Sequence, residues 1–307
     1  MRLLIPEAGS DLGVGTLRML RSLGNKLDPQ FFDRNEVVLM DAIQTCPFWD
    51  LVPVSFVHLP RIDTEFEAAK RKFLDLLCEP ESFSCTILPT GEFFPEVLYA
   101  EEVSKLLPEY GARTHIPTKQ GWEISRDKSL LGLLPWTVPT SAEWGLNRTF
   151  TTPALGVGSR NCSEILCAEE AKAQGPGMVY TKLLPGNDWV VDALKFDGVW
   201  HLLTREVSRQ RGGADVSFRY FRSEELENIT TRVAEKLEAS VLNVQFRKDT
   251  DGTPYVIDVG TRLSGASCAA LHVGVNWIAG VLGIPGWWDP HIESNPQIVR
   301  RWEEVPV

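Results

Sequence analysis

The stretch VLNVQFRKDTDGTPYVIDVGTRLSG, residues 241–265, decides the fold. Apolar and polar side chains alternate with a period of two in its first half and again in its second half, as they do in half-buried β-strands. Between the two halves lies DTDGT, residues 249–253, which is rich in turn-forming residues and contains an Asp-Gly step. The pattern predicts a β-hairpin.

The register of this hairpin follows from the positions of its apolar residues. Pairing Phe246 with Ile257 and Val244 with Val259 places apolar side chains opposite one another on a single face. A slip by one residue would set Phe246 against Asp258, which the hydrophobic pattern disfavours. We therefore expect the first register.

The other face of the hairpin carries polar groups in the same register. It places Gln245 opposite Asp258, with Arg262 just beyond the end of the second strand. Carboxylate and amide oxygens suit Mg²⁺, and a guanidinium suits phosphate oxygens. This face therefore indicates a metal and phosphate site, although an ordinary amphipathic hairpin with a solvated polar face has the same alternation.

The two strands also resemble a known motif. The runs NVQF at residues 243–246 and IDVGTRLSG at residues 257–265 resemble the metal-site hairpin of the ATP-grasp superfamily, especially the carbamoyl-phosphate-synthetase-like and PylC-like carboxylate–amine ligases. The resemblance implies that Asp258 is the chief ligand of Mg²⁺ (or Mn²⁺) and Gln245 a weaker or shared one. It implies that Arg262 stabilises charge on the transferred phosphoryl group or the acyl phosphate.

Composition limits the classes of partner. The chain has 307 residues and a formal net charge of −10, which argues against a general binder of nucleic acids or anionic membranes. No run of about 18 apolar residues is present, and the N-terminus has no apolar segment typical of a signal peptide. Six cysteines lack metal-binding spacing, so we expect reduced thiols in a cytoplasmic protein.

Residues 1–117 alternate apolar strand and amphipathic helix patterns, which predicts a parallel sheet with helical crossovers. By the resemblance this would be the Rossmann-like pre-ATP-grasp domain. Glu7 and the run PTGE at residues 89–92 fall at carboxyl ends of predicted strands, where such sheets bind ligands. The glycines after the first strand, residues 9–15, leave a dinucleotide site open as an alternative, although their spacing is not G-x-G-x-x-G.

The resemblance implies a division of the chain at residue 117. An α/β (α+β) fold is expected, with a pre-ATP-grasp domain over residues 1–117 and a two-subdomain ATP-grasp domain over residues 118–307. Within the latter, residues 118–185 would form the lid, and residues 186–307 the catalytic and metal-binding part.

Several motifs of residues 118–190 resemble the nucleotide-binding parts of the superfamily. They are a helix with Asp-Lys, a glycine-rich loop TTPALGVGSRN at residues 151–161, a hinge strand MVYTKLLPG at residues 178–186, and the strand that follows it. Glycines allow the backbone N–H groups of such a loop to close over phosphates. The resemblance thus implies ATP contacts from Lys128, Gly156, Gly158, Ser159, Arg160, Thr181, Lys182, Leu184 and Asp188.

Arg205 and Arg209, spaced R-x-x-x-R, resemble a pair of arginines of the superfamily that meet the substrate carboxylate or the transferred phosphate. A basic strand edge that deters aggregation is the alternative interpretation. Three positions depart from the pattern of the superfamily: Thr152 replaces a lysine, Lys182 a glutamate, and Gly260 an asparagine.

The resemblance implies an ATP-dependent carboxylate–amine ligase that works through an acyl phosphate and releases ADP and phosphate, with amino-acid-like substrates. Its partners would be a small carboxylate and a small amine rather than nucleic acid or membrane, with a homodimer as an option for its assembly. The three departures leave a second hypothesis open, a degenerate ATP-grasp protein that binds a nucleotide or small ligand without ligating. A nicotinamide-dependent oxidoreductase is a third.

Overall fold

The computed structural model describes residues 1–8, 11–42, 52–79, 84–91, 93–141, 149–155, 162–211, 214–293 and 297–299. Contacts divide the chain into two compact units. The first contains Met1–Ile116 and Arg262–His291, and the second contains Pro117–Thr261 and the described residues from Ile292 onward. The domain boundary expected after residue 117 would place residues 262–291 in the second unit. The structure groups them with the first, where the side chain of Asn276 donates to the carbonyl of Met19 at 2.9 Å.

The first unit is built on a five-stranded parallel sheet, as the alternation of strands and helices predicts. Its strand order is β3-β2-β1-β4-β5, the order of a doubly wound sheet. The strands are β1 (Arg2–Pro6), β2 (Glu36–Asp41), β3 (Ser55–His58), β4 (Thr86–Ile87) and β5 (Arg113–Thr114). All five residues of β1 are buried, as expected for a central strand covered on both faces.

The helices of the first unit follow the predicted amphipathic segments with some differences in their limits. They are α1 (Asp11–Ser22), α2 (Phe31–Arg34), α3 (Ile62–Leu77), α4 (Phe94–Tyr99), α5 (Glu101–Glu109) and α9 (Trp277–Val281). The chain continues from α1 into a π-helical turn, Leu23–Leu27. Helices α4 and α5 are separated at Ala100, whose backbone is extended (φ −59°, ψ 135°).

The second unit begins with α6 (Lys119–Arg126), whose first turn is capped by the hydroxyl of Thr118, which accepts from the N–H of Gly121 at 3.2 Å. A 3₁₀ helix, Lys128–Leu133, follows directly. A four-stranded antiparallel sheet has the order β6-β9-β7-β8. Its elements, with the helix between them, are β6 (Thr140–Ser141), β7 (Thr149–Pro153), β8 (Ser163–Ile165), α7 (Ala168–Ala173) and β9 (Met178–Lys182).

A six-stranded antiparallel sheet with the order β14-β13-β10-β11-β12-β15 completes the second unit. Its strands are β10 (Asp188–Phe196), β11 (Val199–Arg211), β12 (Ala214–Phe221), β13 (Val241–Lys248), β14 (Pro254–Gly260) and β15 (Gln297–Val299). The helix α8 (Glu224–Leu237) packs its apolar stripe against one face, where Val233, Leu237 and Leu242 are fully buried. Each such side chain stabilises the unit by about 2 kcal/mol, so this face holds the core. Gln245 and Asp258, which alternate with buried apolar residues, lie on the opposite face.

The hairpin of β13 and β14 has the predicted register in its first half. Val244 pairs with Val259, and Gln245 with Asp258. The predicted pair of Phe246 with Ile257 is wrong, because a β-bulge follows Gln245 and Phe246 pairs with Val256 instead. Val256 and Val259 are both buried. They are three residues apart, so strict alternation would place them on opposite faces of the strand. The bulge between them allows both side chains to face the core.

None of the helices in the part of the chain that the structure describes has the length and apolar character needed to span a bilayer.

Candidate active site

The predicted metal site lies on the polar face of the β13–β14 hairpin. Gln245 and Asp258 are directly opposite across the ladder, so the amide and the carboxylate project from neighbouring strands on the same side. Both residues are half-buried. The 3₁₀ helix beside β14 brings a cation to this pair, since the ammonium nitrogen of Lys128 lies 3.2 Å from Oδ1 of Asp258. The structure therefore brings three of the predicted site residues together.

Local structure fixes the position of Lys128. Asp127 caps the 3₁₀ helix, because its carboxylate accepts from the backbone N–H of Ser129 at 2.9 Å. The backbone N–H of Lys128 donates to the carbonyl of Ala154 at 2.9 Å. These bonds hold the start of the helix against the strand that precedes the glycine-rich loop.

The donor set suits Mg²⁺ held together with a polyphosphate. Among the described residues, no group of three or more His, Cys, Asp and Glu side chains is arranged to hold a metal ion. Mg²⁺ is usually bound through only one or two carboxylates, with waters and substrate phosphates as the other ligands. Asp258 and Gln245 match that arrangement, and a dedicated protein cage is not required.

The glycine at position 260, where the superfamily has an asparagine, is explained by the residue opposite it in the hairpin. It pairs with Asn243 in the hairpin ladder, and a Cβ at residue 260 would lie 2.6 Å from the amide nitrogen of Asn243. That amide donates to the carbonyl of Gly260 at 3.4 Å. The space that an asparagine at 260 would need is thus filled from the opposite strand.

The other two departures differ from each other in their surroundings. Lys182 forms an ion pair with Asp249 in the hairpin turn. The hydrogen bond between them raises the pKa of Lys182 and lowers the pKa of Asp249. Thr152 is buried, and its hydroxyl accepts from the thiol of Cys162 at 3.3 Å. Its side chain therefore supplies no charge where the superfamily has a lysine.

Of the remaining predicted nucleotide contacts, Thr181 lies on β9, Asp188 begins β10, and Leu184 lies between the two strands. Thr181 donates from its hydroxyl to the carbonyl of Phe150 at 3.3 Å, and Leu184 is buried. Asp188 accepts two hydrogen bonds from Arg247 at 2.6 and 3.0 Å. Gly156, Gly158, Ser159 and Arg160 lie outside the described residues.

Sequence reasoning missed the partners Arg247 and Asp249. The signal for Arg247 was present, because it lies two residues after Gln245 and a period of two places both on one face. Asp249 lies in the predicted turn. Aspartate is common in turns because it bonds to the local backbone, so its presence there did not indicate an ion-pair partner elsewhere in the chain.

Arg205 and Arg209 have opposite environments. Arg205 is 1% exposed, donates to Asp215 at 3.0 Å and forms a second ion pair with Asp192. Burial opposes its charge, but the carboxylates of Asp192 and Asp215 outweigh burial and raise the pKa of Arg205. Arg209 is exposed and lies at an irregularity in the pairing of β11 with β12. The prediction that Arg205 contacts a substrate is corrected here to a structural role in a buried ion cluster, because its guanidinium is already bonded to two carboxylates.

Arg262 belongs to the first compact unit. One of its guanidinium nitrogens donates to the carbonyl of Leu263 at 3.1 Å. Its charge acts on the carboxyl group of Glu7, which also lies in that unit.

Comparisons with known proteins agree with this architecture. Residues 174–291 match the family model described as "ATP-grasp in the biosynthetic pathway with Ter operon". A search of curated protein sequences found no match to this chain. Among solved structures, an L-amino acid ligase from Bacillus licheniformis matches with a TM-score of 0.68 and 18% identity, over 95% of this chain and 75% of that one.

Two further structures match at similar levels. The N5-carboxyaminoimidazole synthetase of Staphylococcus aureus, complexed with ADP, has a TM-score of 0.69 and 13% identity, over 97% of this chain and 79% of that one. The biotin carboxylase of Campylobacter jejuni, in a β-γ-ATP complex, has a TM-score of 0.66 and 15% identity, over 96% of this chain and 73% of that one. These matches agree with the resemblance found in the sequence: residues 174–291 match an ATP-grasp family model, and the chain shares the fold of these three structures.

Proposed function

We propose that this chain is an ATP-dependent carboxylate–amine ligase that joins small, amino-acid-like substrates. The observation that carries the proposal is the cluster of Lys128, Gln245 and Asp258 on one face of the hairpin. A cation, a carboxylate and an amide oxygen are what a site needs to bind a polyphosphate together with Mg²⁺. The B. licheniformis structure is of an L-amino acid ligase, and the S. aureus structure holds ADP, which supports the same proposal.

The proposed reaction has two steps. A carboxylate oxygen of the first substrate attacks the γ-phosphorus of ATP, and the bond from that phosphorus to the bridging oxygen breaks, which releases ADP. The amine nitrogen of the second substrate then attacks the carbonyl carbon of the acyl phosphate. The new C–N bond forms as the C–O bond to phosphate breaks, and phosphate leaves with the electron pair.

The residues of the chain would act by alignment and charge neutralisation. Asp258 and Gln245 would hold Mg²⁺ (or Mn²⁺), which supplies positive charge to the phosphate oxygens when bound. Lys128 and the loop residues Gly156, Gly158, Ser159 and Arg160 would bind phosphates. Arg209 and Arg262 would stabilise charge on the phosphoryl group as it transfers. The adenosine would contact Thr181, Lys182, Leu184 and Asp188.

Calorimetric titration tests the nucleotide site directly. We expect a non-hydrolysable ATP analogue to bind wild type with micromolar affinity in the presence of Mg²⁺, and Asp258→Asn to weaken this binding at least about tenfold. Asp251→Asn, an exposed change in the turn of the same hairpin, is the matched control and should bind as wild type does. Absence of binding at millimolar nucleotide would contradict the proposal.

A second candidate function is nucleotide binding without ligation. It is favoured by Gly260, which supplies no side-chain oxygen for a metal ion, and by Thr152, which supplies no charge where the superfamily has a lysine. ADP release on addition of the twenty protein amino acids with Mg·ATP separates the two functions. Tight Mg·ATP binding without ADP release would favour the second. The cytoplasmic location and the homodimer stay predictions.

A further inference from the structure

One segment of the second unit joins its two sheets and carries most of the proposed nucleoside contacts. Lys182 ends β9 in the four-stranded sheet, and Asp188 begins β10 in the six-stranded sheet. The residues between them, 183–187, belong to neither sheet. Lys182, Leu184 and Asp188 all lie in this connecting segment, residues 182–188. Its position therefore decides where a nucleoside can be bound.

Two ion pairs hold the ends of the connecting segment against the β13–β14 hairpin. At one end, Lys182 is paired with Asp249 in the hairpin turn. At the other end, the carboxylate of Asp188 accepts from the guanidinium of Arg247 at 2.6 and 3.0 Å. The side chains of Asp249 and Asp188 are only 8% and 13% exposed. Because water reaches these carboxylates poorly, their attraction to the two cations is strengthened.

A backbone contact holds the middle of the connecting segment. The N–H of Gly186 donates to the carbonyl of Lys248 at 3.1 Å. A Cβ at residue 186 would lie 2.7 Å from the same carbonyl oxygen, so glycine allows this approach without a shift of the backbone. The three hairpin partners, residues 247–249, are consecutive. The segment is thus held along its length rather than at a single point.

The ion pairs leave both ends of the segment able to contact a ligand. A lysine ammonium has three N–H donors, and a carboxylate has about four acceptor positions. Asp249 takes one donor of Lys182, whose side chain is 52% exposed. Arg247 takes two of the acceptor positions of Asp188. The pairs therefore orient Lys182 and Asp188 without using all of their hydrogen-bonding capacity.

The same hairpin carries the proposed metal ligands. Gln245 lies two residues before Arg247 on β13 and pairs with Asp258 on β14. A strand rises by about 3.3 Å per residue, so Gln245 and Arg247 are about 7 Å apart along one regular element. The hairpin therefore sets the distance between the metal ligands and the connecting segment.

We propose that Arg247 and Asp249 are positioning residues of the nucleotide site. They hold the connecting segment at a set distance from the metal ligands, so that the nucleoside and the phosphates of one nucleotide are bound together. They act through Lys182 and Asp188 rather than on the nucleotide itself. Binding then costs less entropy, because the segment is ordered beforehand. This inference rests on the nucleotide-binding function proposed above.

Tripolyphosphate and an ATP analogue distinguish the two ends of the site. Tripolyphosphate can engage only the metal ion and the phosphate contacts, whereas a non-hydrolysable ATP analogue also engages the nucleoside contacts. Each is titrated calorimetrically, in the presence of Mg²⁺, into wild type, Asp249→Asn, Asp249→Glu and Arg247→Lys. Asp251→Asn, a change in the same turn, is the matched control. Circular dichroism checks that each variant is folded.

We expect wild type to bind the ATP analogue more tightly than tripolyphosphate. Asp249→Asn removes the charge of one link, and Arg247→Lys keeps its charge but loses the two-pronged geometry of the other. Each should weaken binding of the ATP analogue by about three- to tenfold and change tripolyphosphate binding by less than about twofold, because a hydrogen bond between charged groups contributes more than a neutral one. Asp249→Glu keeps the carboxylate and should recover part of the loss.

The outcomes separate this inference from the nucleotide-binding proposal. Equal weakening of both ligands in Asp249→Asn and Arg247→Lys would mean that these residues support the hairpin as a whole, and weakening of neither would mean that they position nothing. Either result would overturn the inference, as would a wild type that binds tripolyphosphate as tightly as the ATP analogue. A wild type that binds neither ligand would instead overturn the nucleotide-binding proposal and the inference that depends on it.

Discussion

The ammonium nitrogen of Lys128 lies 3.2 Å from the carboxylate of Asp258, and this pair joins the 3₁₀ helix after α6 to the β13–β14 hairpin. The Lys128 side chain is 17% exposed and that of Asp258 35%, so the pair is accessible to a ligand. In the absence of nucleotide the two charges neutralise each other. A bound polyphosphate and its metal ion would compete for both.

Substitution of the two partners should therefore affect nucleotide binding in opposite ways when Mg²⁺ is absent. Lys128→Met removes a cation and should weaken binding of an ATP analogue by about 10–100-fold, because a charged hydrogen bond is worth about 1.5–3 kcal/mol. Asp258→Asn removes a repulsive charge and should strengthen Mg²⁺-free binding several-fold. Titration calorimetry in EDTA measures both, and changes of the same sign would contradict a shared site.

Gly121→Ala should destabilise the second unit, although alanine normally favours a helix over glycine by about 1 kcal/mol. A Cβ at residue 121 would lie 2.1 Å from the carbonyl oxygen of Leu237, where α6 meets the end of α8. Because that neighbour is backbone, the helices must separate, and we expect a loss of about 1–3 kcal/mol in the free energy of unfolding.

Denaturant titration measures this loss. Gly132→Ala is the matched control, since the nearest atom to its added Cβ would be 3.7 Å away, an ordinary contact. Its free energy of unfolding should stay within about 0.5 kcal/mol of wild type. Equal effects of the two substitutions would show that the close approach of α6 and α8 does not limit stability.

Periodicity predicts the elements of this fold better than it predicts the partners of charged side chains. The parallel sheet and the pairing of Gln245 with Asp258 follow from alternation and turn residues, because a register slip would expose the core. The bulge at Ile257 could not be predicted, since it depends on which residues the core can accommodate. The burial of Arg205 could not be predicted either. Basic residues on a strand give the same sequence pattern whether their side chains face solvent or two buried carboxylates.

Arg205→Met should destabilise the protein strongly, by about 3–5 kcal/mol, because it leaves the carboxylates of Asp192 and Asp215 buried without a counter-charge. Arg219→Met is the control. Arg219 pairs with Glu206 at the surface with 57% of its side chain exposed, and its loss should cost less than about 1 kcal/mol. Denaturant unfolding of both variants makes the comparison. If Arg205→Met unfolds like wild type, the ion cluster does not have the structural role assigned to it.

Glu7→Gln should gain stability relative to wild type as the pH rises. The folded protein raises the pKa of Glu7 from its ordinary value of 4.5 to about 7, so folded Glu7 holds its proton more tightly than unfolded Glu7 does. The stability linked to that proton is fully present below pH 4.5 and is lost as the pH rises to about 7. Glutamine does not titrate and avoids the loss.

The full shift corresponds to about 3 kcal/mol, the upper limit of the gain expected for Glu7→Gln between about pH 4 and pH 8. Denaturant unfolding of wild type and the variant across this range measures the difference, with Glu109→Gln as the exposed control. A constant difference would mean that Glu7 titrates alike in the folded and unfolded chains. Burial would then not perturb its carboxyl group.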